Sequence, residues 1–184
     1  MLYKQKKSGT NLKFEFKEEG LEFTMKDDTL HKSEFIPYED ITNKSHEYFE
    51  KNSGHKNRAI YFLVVGVLFL ISNLIFKTKL WAFLFLIGAP VFYFLYKKSV
   101  VNYKVLNTDN GLMDIWVLDD KNQAEIIDAI YNSRDSYLKE NYLAINYNNE
   151  PNNEANKFLW LKNLNIINDK EFEVIKEEIY NNEN

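Results

Sequence analysis

Two pairs of adjacent carboxylates, Asp27-Asp28 and Asp119-Asp120, and three histidines, His31, His46 and His55, are the residues in this chain best equipped for chemistry. Paired carboxylates can divide acid and base roles between them, and histidine can move protons or bind metal near neutral pH. Each carboxylate pair, however, falls in a turn or helix-cap context, where Asp is favoured for backbone reasons alone. His46 and His55 stand either side of the breaker Asn52-Ser53-Gly54, with no acidic pattern to complete a metal site. Cysteine is absent, so neither thiolate ligands nor disulfides enter. The expectation is a protein that is not an enzyme, with no cofactor and no metal.

A second set of residues carries a physical signal instead. Lys51, Lys56, Arg58, Lys97, Lys98 and Lys104 flank two apolar runs, Ala59–Phe76 and Leu80–Tyr96, neither of which holds an Asp, Glu, Lys or Arg. A helix rises about 1.5 Å per residue, and a bilayer takes roughly 17–25 apolar residues to cross. Lys77, Thr78 and Lys79 alone separate the runs, which predicts an antiparallel transmembrane hairpin. Tyr61, Tyr93 and Tyr96 suit the interface, where an apolar ring keeps a polar tip wet. Gly66, Gly88 and Ala89 allow close helix approach, Pro90 kinks the second helix, and Asn73 reads as an interhelical or interfacial hydrogen bond. The six flanking cations are candidate contacts for lipid headgroups. They outnumber the two lysines of the turn, which places both termini in the cytoplasm by the positive-inside rule.

The rest of the chain must position these groups. With 184 residues and a net charge of −4, removing the hairpin leaves enough chain for one domain and a small appendage. Met1–Thr10 is basic but is followed by no apolar segment, so it does not read as a signal peptide. Leu12, Phe14 and Phe16 alternate with charged residues, as do Leu21, Phe23 and Met25, and Leu30–Ile36 continues the series. This period of two predicts a meander of antiparallel strands. Pro37–Ile41 suggests one helical turn, and Thr42–Glu50 leans to a strand. After the hairpin, Val100–Asn107 and Leu112–Leu118 form a strand pair across the turn Asn107–Gly111. Asp120 with Gln123 fits a capping box opening a helix over residues 121–142, in which Arg134 and Lys139 suit the helix dipole.

Asn146–Asn156 is Asn-rich and reads as a linker. Beyond it Phe158, Leu161 and Leu164 predict a short amphipathic helix. Asn168 with Glu171 caps another, striped by Phe172, Ile175 and Ile179. So small a helical pair must bury its stripe on the main domain, a second copy or another protein. From Asp119 onward seven Lys or Arg face fourteen Asp or Glu, which argues against nucleic acid as a partner.

With "FIPYEDI" at Phe35–Ile41, a two-span insertion, a hairpin around "NTDNG" and a closing helix, residues 10–142 resemble the bacterial PH-like membrane proteins of the YcxB-like kind. "FLWLKNLNIINDKEFEVIKEEI" at Phe158–Ile179 is similar to the short C-terminal helical hairpin called SHOCT, with Asn165 where Gly is common. The first resemblance implies a bent antiparallel sheet closed by one helix. The second implies oligomerisation or partner docking through Phe158, Leu161, Leu164, Phe172, Ile175 and Ile179. Neither brings catalytic residues.

The expected fold is therefore an α+β membrane protein. Residues 1–57 and 99–145 build the PH-like domain, 58–98 the hairpin, 146–156 the linker and 157–184 the helical tail. The leading functional expectation is a scaffold anchored in the inner membrane, with the bilayer and a homo-oligomer or protein as partners. Anionic-lipid headgroup sensing is the alternative, and toxin immunity or defence a third.

Overall fold

The computed structural model of the chain describes residues 1–7, 9–27, 30–51, 53–76 and 81–181. The expected turn at Lys77–Lys79 lies outside these residues, as does Asp28 of the first carboxylate pair. Two compact units result: residues 1–47 with 103–184, and residues 48–102.

The first unit opens with the meander. Strands β1 (Leu2–Lys7), β2 (Thr10–Phe16), β3 (Gly20–Lys26) and β4 (His31–Pro37) pair in order as one antiparallel sheet. Alternation decides the buried face, because successive side chains leave a strand on opposite sides. Leu12, Phe14, Leu21, Phe23 and Ile36 are all buried. Phe14 and Phe23 stand opposite each other across the ladder, with their rings stacked at 5.3 Å. Asp27 accepts the Leu30 N–H at 2.7 Å, the turn role anticipated for it. β1 is the strand that composition hid, since Lys4, Lys6 and Lys7 make an ordinary edge strand look like a charged tail.

A single 3-10 turn, Tyr38–Asp40, leads into β5 (Ile41–Glu50). After the second unit the chain returns as β6 (Val101–Thr108) and β7 (Ile115–Leu118), giving a three-stranded sheet in the order β5-β6-β7. Asn110 at φ 60° and Gly111 at φ 72° form the turn between β6 and β7, with the Leu112 N–H reaching the Asp109 carbonyl. Two positive φ angles define the tight primed turn that suits strand twist, and Asn-Gly tolerates it at low cost. β7 starts three residues later than expected. Asp114 Oδ1 takes the Thr108 N–H at 2.9 Å, and a side chain there replaces the ladder.

Gln5 joins the two sheets. Its amide accepts from the Leu118 N–H at 2.9 Å and donates to the Leu118 carbonyl at 3.0 Å, as a neighbouring strand would. Helix α3 (Gln123–Tyr142) lies against β7 and the 3-10 turn, its buried stripe being Ile126, Ile130, Arg134 and Leu138. The expected capping box gives way to another arrangement. Asp120 Oδ1 is shared by the Asn122 N–H and Gln5 Nε2, so Asn122 takes the cap position.

The tail differs from expectation at its start. Helix α4 runs Pro151–Asn163, so half of the supposed linker is helical. Proline suits a first helical turn, where no N–H partner is lost, and this outweighs the loop-like composition. Buried Glu154 organises the segment before it, accepting from the Asn146 N–H at 2.8 Å and from Asn149 Nδ2 at 2.9 Å, and pairing with Lys157. α5 (Asp169–Asn181) begins with the anticipated box: Asn168 Oδ1 accepts the Glu171 N–H at 3.0 Å, and Glu171 Oε2 accepts the Asn168 N–H at 2.7 Å.

Between these helices Asn165 sits at φ 59°. Its N–H meets the Lys162 carbonyl and the Ile166 N–H meets the Leu161 carbonyl, the paired bonds of a left-handed helix stop. Asn165→Gly is expected to stabilise the chain by about 0.5 kcal/mol, and Asn165→Val to destabilise it by about 1–2 kcal/mol. Urea unfolding of the purified protein checks both.

The second unit is α1 (Ser53–Phe76) and α2 (Trp81–Lys98). They pack antiparallel: His55 faces Phe92, Phe62 stacks on Phe92 at 5.1 Å, and Phe69 stacks on Phe85 at 5.4 Å. Close approach needs the two glycines. A Cβ on Gly66 would fall 2.9 Å from Leu86 Cδ2, and one on Gly88 2.6 Å from Phe62 Cδ1. Among the described residues one helix is long and apolar enough to cross a bilayer, over the 22 residues Gly54–Ile75. α2 is described over 18 residues and ends in Lys97 and Lys98, and the start of its apolar run, Leu80, lies outside the described residues.

Candidate membrane-interface site

The antiparallel packing of α1 and α2 decides where the basic residues gather. α1 starts where α2 finishes, so Lys56 and Arg58 of the first helix share one end of the pair with Lys97 and Lys98 of the second. Lys51, just before α1, belongs to the same end. All five are exposed. A helix C-terminus also favours the two cations of α2, through its exposed carbonyls.

Aromatic rings hold three of the ammonium groups. Lys51 Nζ lies 6.0 Å from the Tyr96 ring centroid, Lys97 Nζ 5.2 Å from Tyr93 and Lys98 Nζ 4.7 Å from Phe94. Each such contact contributes on the order of 0.5–1 kcal/mol where water reaches it. His55 stacks on Phe92, and its buried Nδ1 has no hydrogen-bond partner among the described residues. Lys104 belongs to the other unit, half-buried on β6.

The α+β unit presents a surface of a different kind. An open cleft of about 610 Å³ runs between the β2–β3 turn and α3, walled by Glu18, Glu19, Tyr38, Ser133, Tyr137 and Glu140. Three carboxylates and four hydroxyls outnumber its one lysine side chain, Lys17, which suits a polar or basic partner. Burial pushes the Tyr38 hydroxyl up, against a hydrogen bond from Ser133 that lowers it. Among the described residues no group of three or more His, Cys, Asp or Glu is placed to hold a metal ion.

Phe158, Leu161, Leu164, Phe172 and Ile179 of the tail are buried within their own chain, and Ile175 packs against them. Their cover is Leu138 of α3 with Tyr137 and Tyr142, joined by Ile166 and Ile167 from the turn. Of the three hosts open to this stripe, the fold uses the main domain.

The ring of Tyr142 that meets the tail is also tied to the 3-10 turn. Glu39, from the 3-10 turn, accepts hydrogen bonds from the hydroxyls of Tyr137, at 3.3 Å, and Tyr142, and Trp160 of α4 packs edge-on against Tyr142. The bond to Glu39 pushes the Tyr142 hydroxyl up to about 12, with burial and the Glu39 charge adding to it. A raised folded-state pKa means stability that is complete below pH 10 and lost as pH climbs through 12. Unfolding midpoints should therefore fall between pH 10 and 12, and Tyr142→Phe should reduce that decline, leaving the part due to the other tyrosines that are pushed up, Tyr3, Tyr38, Tyr131, Tyr137 and Tyr147.

Arg134, read from sequence as a cation that suits the dipole of its helix, is 2% exposed. Its guanidinium donates to the Ile41 carbonyl at 3.2 Å, Asn43 Oδ1 at 2.8 Å and the Leu164 carbonyl at 3.3 Å, and pairs with Asp135 at 2.7 Å. The signal was present. Arg134 lies four residues from both Ile130 and Leu138, on the apolar stripe itself.

Comparison with known protein families, curated proteins and solved structures finds no match.

Proposed function

We propose that this chain is a non-enzymatic interaction protein anchored in the inner membrane. In this reading α1 and α2 cross the bilayer as a two-span hairpin, and the α+β unit is presented at the cytoplasmic face. One observation carries it: the apolar helix α1 leaves its side chains uncovered, with Leu74 84%, Ile75 65% and Leu68 60% exposed. Soluble proteins bury such a helix, whereas lipid tails cover it without cost. The bases at one end of the pair fit an interfacial position. A four-stranded sheet, a three-stranded sheet and a helix lying against them support the PH-like resemblance, and the helical pair α4–α5 supports the SHOCT-like one. Since the tail stripe is occupied by α3, the partner-facing surface in this proposal is the acidic cleft.

The test uses Thr78→Cys and Ser136→Cys in the cysteine-free chain, probed in intact cells with an impermeant thiol reagent. Labelling at 78 alone supports the proposal. Labelling at 136 alone inverts the protein and overturns the cytoplasmic assignment, and labelling at neither overturns the two-span anchor. In-cell cross-linking then reads the cleft: Glu140→Lys should abolish a cross-linked species seen with the parent chain, and its persistence would move the partner elsewhere. The alternative, sensing of anionic headgroups, is favoured by the five bases on one end of the helical pair.

A further inference from the structure

A shallow apolar groove of about 300 Å³ opens on the face of the helical pair, formed by Ala59, Ile60 and Leu63 of α1 and Ala89, Pro90 and Tyr93 of α2. Small residues make it: Ala59 and Ala89 are each only 8% exposed, while Ile60 and Tyr93 stand up as rims, 50% and 51% exposed. Both walls continue into a cation. Lys56 precedes Ala59 by three residues, Ile60 by four and Leu63 by seven, which is one helix face. Lys97 follows Tyr93 by four and Pro90 by seven, again one face, and its Nζ sits 5.2 Å from the Tyr93 ring. α1 starts where α2 ends, so both lysines stand at the same mouth.

We infer that this groove is a binding site for one anionic phospholipid, its acyl chain lying between the two walls and its phosphate at Lys56 and Lys97. The inference rests on the membrane-anchored reading above and names the ligand for it. Charge selects this occupant over a second copy of the chain. Copies inserted in one orientation and joined groove to groove would set their Lys56 and Lys97 pairs against each other. Size agrees, since a helix about 10–12 Å across is far broader than the gap between two alanines, whereas an acyl chain is slim.

The full-length protein, purified in mild detergent, is equilibrated with phosphatidylglycerol or with phosphatidylcholine of the same acyl chains, and retained lipid is counted by native mass spectrometry. One phosphatidylglycerol should be retained per chain, at least about tenfold more than phosphatidylcholine, and free glycerophosphate should not displace it. Lys56→Gln with Lys97→Gln, both exposed and far from any core, should bring the two lipids to equal retention. Ala89→Leu should remove both, and Ile60→Ala, which only lowers a rim, should weaken both. Equal retention of the two lipids by the parent chain overturns the inference, as does unchanged retention in the lysine variant. A dimer that Ala89→Leu dissolves with lipid counts unchanged assigns the groove to a second copy instead. Carbonate extraction of membranes separates this failure from that of the anchor reading: release of the parent chain without detergent sinks the anchor, whereas retention with no lipid preference sinks the groove alone.

Discussion

Arg134→Met is expected to destabilise the α+β unit by about 3–5 kcal/mol, the largest effect of any single polar substitution in this chain. The side chain is fully enclosed, and its partners come from three places: the Ile41 carbonyl and Asn43 on β5, Asp135 on α3 and the Leu164 carbonyl at the end of α4. Methionine fills much of the volume but satisfies none of the acceptors. Two buried carbonyls then lose a charged donor, each at about 1–3 kcal/mol. Arg134→Lys keeps the charge yet cannot fork to several acceptors, so an intermediate loss is expected. Because one partner belongs to the tail and two to β5, the methionine variant should also loosen the tail's docking. Limited proteolysis should then cut within residues 143–150 before it attacks the sheets. Equal resistance of variant and parent at that segment would show that the apolar contacts of Phe158 and Leu161 hold the tail without help.

Gln5→Leu is the second. The Gln5 amide accepts the Leu118 N–H of β7, donates to the Leu118 carbonyl beside the Asp120 N–H, and donates a third bond to Asp120 Oδ1 at 2.9 Å. Leucine leaves the Leu118 N–H unpaired and removes one of the two donors to its carbonyl, which keeps the Asp120 N–H at 2.9 Å, at a site only 3% exposed, for a loss on the order of 2–3 kcal/mol. Gln5→Glu separates geometry from polarity. A carboxylate can accept the Leu118 N–H but cannot donate to its carbonyl, and it meets Asp120 with like charge. It should therefore be no better than leucine near neutral pH. Urea unfolding followed by Trp116 and Trp160 fluorescence in a Trp81→Phe background reads both ends of the unit, since Trp116 packs on Tyr103 and Trp160 on Tyr142.

These two residues also mark where sequence reasoning stopped. Strands with apolar–charged alternation, such as those carrying Leu12, Phe14, Leu21 and Phe23, announce themselves because burial on one face leaves a period of two. The stripe Ile126, Ile130 and Leu138 does the same for α3. The burial of Arg134 was written in its place on the apolar stripe, but the partners of Gln5 and Arg134 were not, because polar residues are assigned to the surface unless a partner is known. Their partners are main-chain groups on distant elements, and no pattern of side chains encodes those. The tail shows the same limit from the other side. Its apolar stripe was legible down to Phe172 and Ile179, but an apolar stripe specifies only that something must cover it. The start of α4 was misread because Asn-rich composition speaks of loops, whereas Pro151 and buried Glu154 favour a helix start. At the start of α1 and the end of α2 the five bases were legible singly, and the antiparallel helices supply the grouping.

The placement of the helical pair between two neighbouring strands of one sheet dictates an order of events during synthesis. The sheet β1–β4 is built wholly from adjacent segments, so it can form as soon as it leaves the ribosome. The pairing of β5 with β6 must wait for the whole intervening pair of helices, as the bond from Thr42 to the Asn107 carbonyl spans 65 positions. Leu118, the partner of Gln5, arrives later still, 113 positions downstream. During that interval Phe14, Phe23 and Ile36 lack their cover, while the most apolar segment of the chain is emerging behind them. Prompt capture of α1 by the bilayer would keep those two sticky surfaces apart, and delayed capture would bring them together as the first step of aggregation.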